Sequence, residues 1–138
     1  AGMMLASYYG GICLGPVNTA AGHALAYPLG TRLKLPHGLA NAVIFPHVLA
    51  FNLPVAAAKT AAVAAALGLR ADDEAALLDT ASQWCRNLGV EMRLSALGAT
   101  QANLPAWASE AHAIRRLMDN NPRDMSVDEV LAVYTAAF

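Results

Sequence analysis

The chain has few charges, and none of them lies near its start. Charged residues make up 14% of its 138 residues and apolar residues 57%, whereas ordinary soluble domains are roughly 25% charged. The first charge is Arg32 and the first carboxylate is Asp72. The segment before Asp72 therefore has no carboxylate for metal binding or acid–base work. Such an apolar chain is either unusually buried or packed against something outside these residues.

Other absences restrict the class of protein. The net charge is −1 and no basic cluster is present, so we expect no nucleic-acid partner. Cys13 and Cys85 lack the spacing of a metal or redox motif, which fits a reducing cytoplasm. The opening Ala-Gly-Met-Met has neither the basic segment nor the cleavage site of a signal peptide. We expect a cytoplasmic protein, and its uncapped apolar beginning suggests a cut within or just before a helix.

The first thirty residues are apolar enough to raise the question of a membrane span. Glycine and proline interrupt them, and no run reaches the roughly 18–20 apolar residues that a span needs. We therefore expect two short, fully buried helices here and no membrane partner.

Helical spacing and helix-boundary residues recur along the whole chain, and no segment alternates as a strand would. The sequence predicts an all-α fold, a bundle of about six to seven helices forming one domain over residues 1–138. We expect Pro28-Leu29-Gly30 to stop a helix before a loop from Thr31 to Leu35, and Pro46 to kink another. The predicted helices cover 2–14, 17–27, 36–52, 54–68, a segment capped by Asp72 or Asp73 and ended by Gly89, one from Pro105 through Leu117, and one after the capping box Ser126-Val-Asp-Glu129.

Four histidines are candidates for chemistry. His47 lies in an apolar helix, and His112 stands among charged residues; we interpret the first as a hydrogen-bonded core residue and the second as part of a solvated face. His23 and His37 flank the predicted break, so two helices folding back could bring their imidazoles together. Neutral imidazole binds Zn²⁺ or Fe²⁺, but the spacing alone leaves a metal pair and two core histidines equally open. Two ligands also make an incomplete site, which points to ligands outside this chain.

The residues around this pair resemble a known family, the iron-dependent (group III) alcohol dehydrogenases, of the dehydroquinate synthase-like superfamily. The resemblance rests on His23-Ala-Leu-Ala-Tyr-Pro-Leu-Gly30, Leu35-Pro-His-Gly-Leu-Ala-Asn-Ala42, Phe45-Pro-His-Val48 with Phe51-Asn52, and the tail Asn121-Pro-Arg123 with residues 126–138. These segments span almost the whole chain. The resemblance implies the C-terminal helical metal-binding domain of such an enzyme, without its first helices and without the N-terminal nucleotide-binding domain.

The resemblance also implies roles for particular residues. His23 and His37 become the last two of four metal ligands, the other two being an aspartate and a histidine upstream. The metal is Fe²⁺, with Zn²⁺ or another divalent ion as alternatives, and NAD(P) is bound mainly by the absent domain, so no cofactor-binding residue is assigned here. Many members have a histidine where this chain has Tyr27, and a proton relay through that position lacks its imidazole here. Tyr27 could line the substrate pocket, or pack in the core with its hydroxyl bonded to backbone.

Three functional hypotheses follow. The first is the C-terminal part of an NAD(P)-dependent alcohol dehydrogenase in which the metal acts as a Lewis acid on the alcohol oxygen. Under this hypothesis the substrate is a small alcohol or aldehyde, and the isolated 138-residue piece is inactive. The protein is then expected to form a homo-oligomer through exposed apolar surface. The second is a related maleylacetate reductase or glycerol dehydrogenase. The third is a non-catalytic helical interaction domain, in which the two histidine rings point apart. Arg32 and Lys34 could approach a phosphate, although a solvated loop is the simpler interpretation.

Overall fold

The computed structural model describes residues 2–138. In that range the chain is all-α, with seven α-helices, one short 3-10 turn and no strand. The helices are α1 (Gly2–Val17), α2 (Ala21–Arg32), α3 (His37–Leu67), α4 (Glu74–Asn87), α5 (Leu104–His112), α6 (Arg115–Met118) and α7 (Val127–Ala136), with the 3-10 turn at Gln101–Asn103. The predicted all-α class and the number of helices are confirmed.

The core forms around α2, which packs against α3 and α5. Small and branched apolar side chains on α2, including Ala24, Leu25 and Leu29, are fully buried. The first half of α3 adds Val43 and Ile44 to the same cluster. Because α2 is in the centre, the residues that it carries are held by contacts on several sides.

Helix boundaries follow local capping where the sequence contains it. The Asp73 carboxylate accepts a hydrogen bond from the Ala76 amide at 2.7 Å and caps α4. Ser126 and Glu129 form the predicted capping box at the start of α7. Gly68 ends α3 with φ of 69°, a left-handed conformation that glycine adopts without steric cost.

Proline was a poor guide to helix ends in three places. α1 continues through Gly15 and residue 16 to Val17, and α2 continues through Pro28 to Arg32, so the predicted stop and the start of the predicted loop are wrong. A proline removes only one backbone donor, so the other helical hydrogen bonds around it can still form. After Pro28, for example, the Leu33 amide donates to the Leu29 carbonyl at 3.1 Å. The predicted helices 36–52 and 54–68 are joined in α3, whose backbone leaves helical geometry at Ala56, two residues after Pro54, rather than at Pro46.

The predicted single helix from Pro105 through Leu117 is divided in two. Ile114 has φ of −79° and ψ of 61°, which ends α5 and lets α6 start in a new direction. The segment 90–100, between α4 and the 3-10 turn, consists of turns and irregular backbone.

The prediction of two fully buried helices at the start is wrong for α1 and correct only in part for α2, whose core-facing side is buried while Tyr27, Thr31 and Arg32 are exposed. Every described side chain of α1 is exposed, including Met3 at 84% and Tyr8 at 64%. No other described element packs closely against α1. The excess of apolar residues noted in the sequence is therefore concentrated in one helix that has no covering layer among residues 2–138.

Length and composition single out α3 as the one described helix that could cross a membrane. The same properties belong to the core helix of a soluble domain. Its first half contributes Ala40, Val43 and Ile44 to the hydrophobic cluster.

A polar network ties the kinked part of α3 to the chain before α7. Asn52 and Asn121 exchange side-chain hydrogen bonds of 3.0 and 2.8 Å. The Arg123 guanidinium donates to the Phe51 carbonyl at 3.1 Å, lies 4.0 Å from the centre of the Phe51 ring and also pairs with Glu129. Pro54 leaves the carbonyl one turn earlier without its helical donor, so this network supports α3 where its own bonding is weakest.

Candidate metal centre

His23 and His37 lie beside each other. His23 is in the first turn of α2, and His37 is the first residue of α3. The connection between the helices, Leu33 to Pro36, reverses the chain, and Lys34 adopts a positive φ of 58° within it. The two ring centres are 5.2 Å apart, with an angle of 53° between the ring planes. The fold therefore brings together the pair of imidazoles that the sequence singled out.

Electrostatics favour the neutral form of His23. Its pKa is lowered, first by burial and then by the nearby His37. A neutral imidazole keeps a ring lone pair free, which is the form that binds a metal. His37 is exposed, so the two rings have unequal surroundings.

Asn41 is a third polar side chain at this place, and sequence reasoning missed it. It lies one turn after His37 on α3, and its amide nitrogen is 3.3 Å from Nε2 and 3.5 Å from Nδ1 of that ring. The same nitrogen donates to the His37 carbonyl at 3.0 Å. The i, i+4 spacing was the signal that could have found it.

A cavity of about 350 Å³ adjoins His23. Its polar residues are His23, Asn41 and Asn52, and its apolar wall comes from Phe45, Val48 and Leu49. Such a space, with a mainly apolar wall and a few polar groups, is of the size that small ligands occupy.

The other predicted residues near the pair are solvent-facing. Tyr27 lies one turn after His23 and is 40% exposed, so it is not a core phenol, and it does not line the cavity described above. Arg32 pairs with Glu110 at 3.0 Å, which occupies its guanidinium. Lys34 is exposed.

The remaining histidines are away from this pair. His112 contacts Arg115 at 3.1 Å on an accessible face, as expected. His47 is partly buried between α3, α4 and α7, where it lines two adjoining cavities of about 340 and 310 Å³. Its ring makes no hydrogen bond to another described residue, unlike the core histidine that the sequence suggested, and burial lowers its pKa to about 4.

No set of three or more His, Cys, Asp or Glu side chains that could hold a metal occurs among residues 2–138. The His23–His37 pair is a donor set of two.

Comparison with known proteins supplies a wider context. Residues 1–138 match the sequence profile of the Fe-containing alcohol dehydrogenase family, C-terminal. A probable alcohol dehydrogenase, EutG, from Escherichia coli K12 is 33% identical over 98% of this chain and 34% of its own length. A sulfoacetaldehyde reductase from Bilophila wadsworthia is 33% identical over 99% of this chain and 37% of its own length.

The fold agrees with the sequence. The crystal structure of a 1,3-propanediol oxidoreductase superposes with a TM-score of 0.77 at 28% identity, over 88% of this chain and 33% of that one. The chain thus spans about a third of the length of the proteins that it matches. With its whole length matched and its helices superposed, the chain belongs to the Fe-containing alcohol dehydrogenase family and corresponds to its C-terminal part.

Proposed function

We propose that the chain is the C-terminal, metal-binding part of an oxidoreductase that transfers hydride between a small alcohol or aldehyde and NAD(P). The observation that carries this proposal is the approach of the His23 and His37 rings to 5.2 Å between centres. In the alternative of a non-catalytic helical domain, the two rings have no reason to meet.

The donor set fits a divalent metal, with iron(II) first and zinc as the alternative. His23 and His37 would hold it with two neutral imidazole nitrogens, which suit both ions. Further ligands would come from outside these residues, since no Asp, Glu, Cys or third His joins the pair among residues 2–138. When bound, such a metal supplies Lewis-acid polarisation of an alcohol or carbonyl oxygen.

The chain's own residues prepare the surroundings of that reaction. Burial of His23 keeps its imidazole neutral and able to bind. Phe45, Val48 and Leu49 form an apolar wall on one side of the cavity beside it, and an apolar wall lowers the local dielectric and so strengthens electrostatic interactions there. Tyr27 is exposed one turn from His23 and lies outside that cavity; it would contribute a hydroxyl to a substrate pocket completed by residues outside this chain, where many relatives place an imidazole.

A small substrate with a second polar group would meet a few polar side chains in this mainly apolar cavity. Asn41 and Asn52 give its wall amide groups in addition to His23. The relatives named above include proteins described as acting on sulfoacetaldehyde and 1,3-propanediol, and both molecules carry a second polar group. We propose a substrate of that general kind.

The cofactor is assigned to another part of the protein. Residues 1–138 would be the C-terminal helical domain, preceded in the longer protein by further helices and an N-terminal nucleotide-binding domain that holds most of NAD(P). Hydride transfer needs the nicotinamide and substrate together, so the 138-residue chain alone should be inactive. We further propose a cytoplasmic homo-oligomer that associates through exposed apolar surface, since α1 presents eight large apolar residues to solvent: Met3, Met4, Leu5, Tyr8, Tyr9, Ile12, Leu14 and Val17.

Two experiments test this proposal. In the first, Zn²⁺ is titrated into the 138-residue chain and into H23A and H37A; weak binding that either substitution abolishes supports the shared site, and binding that survives both contradicts it. In the second, alcohol-dependent NAD(P)⁺ reduction is assayed with the chain alone and with the longer protein. Turnover by the chain alone would overturn the assignment of the cofactor site to a missing domain.

A further inference from the structure

Tyr134 links the C-terminal helix to the helix that carries His23. Its side chain is fully buried, and its hydroxyl donates to the Leu25 carbonyl at 2.6 Å across 109 positions of sequence. Burial raises the pKa of this phenol above its ordinary value, so the hydroxyl stays protonated and remains a donor. A buried hydroxyl without an acceptor would be costly, and the Leu25 carbonyl is the acceptor that it has.

The bond joins α2 where that helix needs support. Pro28 lies inside α2 and has no N–H, so the Ala24 carbonyl one turn earlier lacks its helical donor. The next carbonyl, that of Leu25, is the one that receives the hydroxyl of Tyr134. The C-terminal helix thus holds α2 beside its proline.

That attachment point is two residues from His23, in the same helix. Backbone hydrogen bonds hold one turn of a helix together, so a shift of the Leu25 carbonyl moves the His23 ring with it. A shared metal requires each ligating nitrogen at about 2.0–2.1 Å, which leaves little tolerance in the 5.2 Å separation of the two ring centres.

We propose that Tyr134 is a positioning residue, whose hydroxyl fixes α2 so that His23 meets His37. The positioning role depends on the proposed metal site, whereas the contact between Tyr134 and Leu25 exists without metal. Core packing alone would need only the ring of Tyr134; positioning needs the hydroxyl as well.

The test compares Y134F, which keeps the ring, with T80V. Thr80 is partly buried, and its hydroxyl donates to the Ala76 carbonyl at 2.8 Å in α4 and accepts from the Arg70 amide at 3.2 Å, so T80V removes side-chain hydrogen bonds away from α2. Two quantities are measured on the 138-residue chain: the NMR cross-relaxation between the His23 and His37 rings without metal, and the dissociation constant for Zn²⁺. Y134F should weaken the inter-ring signal and raise the dissociation constant roughly tenfold, the lower end of the loss seen when an outer support of a metal ligand is removed. T80V should lower stability and leave both quantities as they are.

The outcomes separate the two proposals. An unchanged inter-ring signal in Y134F, or an equal loss in T80V, overturns the positioning role. A wild-type chain with a strong inter-ring signal and no Zn²⁺ binding would contradict the metal site, while the signal in Y134F would still decide the role of Tyr134. If Y134F unfolds, the measurements are repeated in sucrose, which favours compact states.

Discussion

The side-chain amides of Asn52 and Asn121 exchange two hydrogen bonds, of 3.0 and 2.8 Å, although the residues lie 69 positions apart. Asn121 also donates to the Arg123 carbonyl at 2.7 Å, so one amide joins α3 to the segment before α7. Asn52 lines the cavity beside His23. The pair therefore connects the C-terminal part of the chain with the candidate site.

N121A should destabilise the chain because it leaves the partly buried Asn52 amide unpaired. We expect a loss of about 1–3 kcal/mol in the free energy of unfolding, the usual cost of orphaned buried polar groups. Urea unfolding followed by circular dichroism measures it. N87A, which removes an exposed bond to Gln83 within one helix, serves as the control and should change stability by less than about 0.5 kcal/mol. Equal losses of unfolding free energy in the two variants would mean that the Asn52–Asn121 pair does not stabilise the chain.

Much of this fold could be predicted because its signals are local. Asp73, Ser126 and Gly68 mark helix ends through bonds and backbone angles within one turn. The predicted helix end at Pro28 was wrong because tertiary contacts keep the helix going there. α2 lies in the core, and α7 donates a hydrogen bond to one of its carbonyls. The exposure of α1 could not be foreseen, since an apolar sequence indicates that a helix needs covering without saying which residues cover it.

The candidate site was predictable in part for the same reason. His23 and His37 could be paired because only a short connection separates their helices. Asn41 follows His37 by one turn and was within reach of the same logic. Asn52 was not, because its place at the cavity depends on the course of α3 and on a partner 69 residues away.

N41D should increase the affinity of the chain for a divalent metal. Asn41 already has its amide nitrogen 3.3 Å from the His37 ring, so an aspartate there would add a carboxylate to the two imidazoles and complete a three-ligand set. We expect a gain of at least about tenfold, since ~1.4 kcal/mol of added attraction is enough for that factor. Zn²⁺ titration by calorimetry measures it.

N41A is the matched control for N41D, because it removes the amide without adding a charge. It should not gain affinity. A gain in both variants would show that the amide blocks the metal and that the carboxylate is not a ligand. No gain in N41D would indicate that the His37 ring nitrogens face away from the pair.

His47 should make the chain less stable in mild acid. Its pKa is about 4 in the folded protein against 6.5 for an unperturbed histidine, because burial disfavours the imidazolium. The unfolded state therefore binds this proton more readily than the folded state does. The free energy of unfolding that depends on a neutral His47 is fully present above pH 6.5 and declines as the pH falls towards 4. Glu74 and Glu129 line the same cavity and would favour the charged ring, but the burial effect is larger. The full shift in pKa corresponds to ~3 kcal/mol of unfolding free energy. Because the ring is partly exposed and solvent screens its charge, we expect the loss to be about 2 kcal/mol.

H47L isolates this contribution, since His23 and the carboxylates titrate in both proteins. Unfolding free energies measured at several values between pH 7 and pH 4 should fall more steeply for the wild type. Parallel curves would contradict a buried, neutral His47.

α1 should drive self-association of the isolated chain. Its apolar residues face all sides, and Tyr8 and Ile12 are 64% and 54% exposed, so water contacts a surface that would normally be buried. Y8K combined with I12E should shift the chain towards monomer in sedimentation velocity while changing the free energy of unfolding by less than about 0.5 kcal/mol, because neither side chain packs in the core. Q83K combined with Q101E introduces the same two charges at exposed positions away from α1 and should leave the association as it was. Association that persists equally in both double variants would assign it to another surface, and loss in both would assign it to general charge effects rather than to α1.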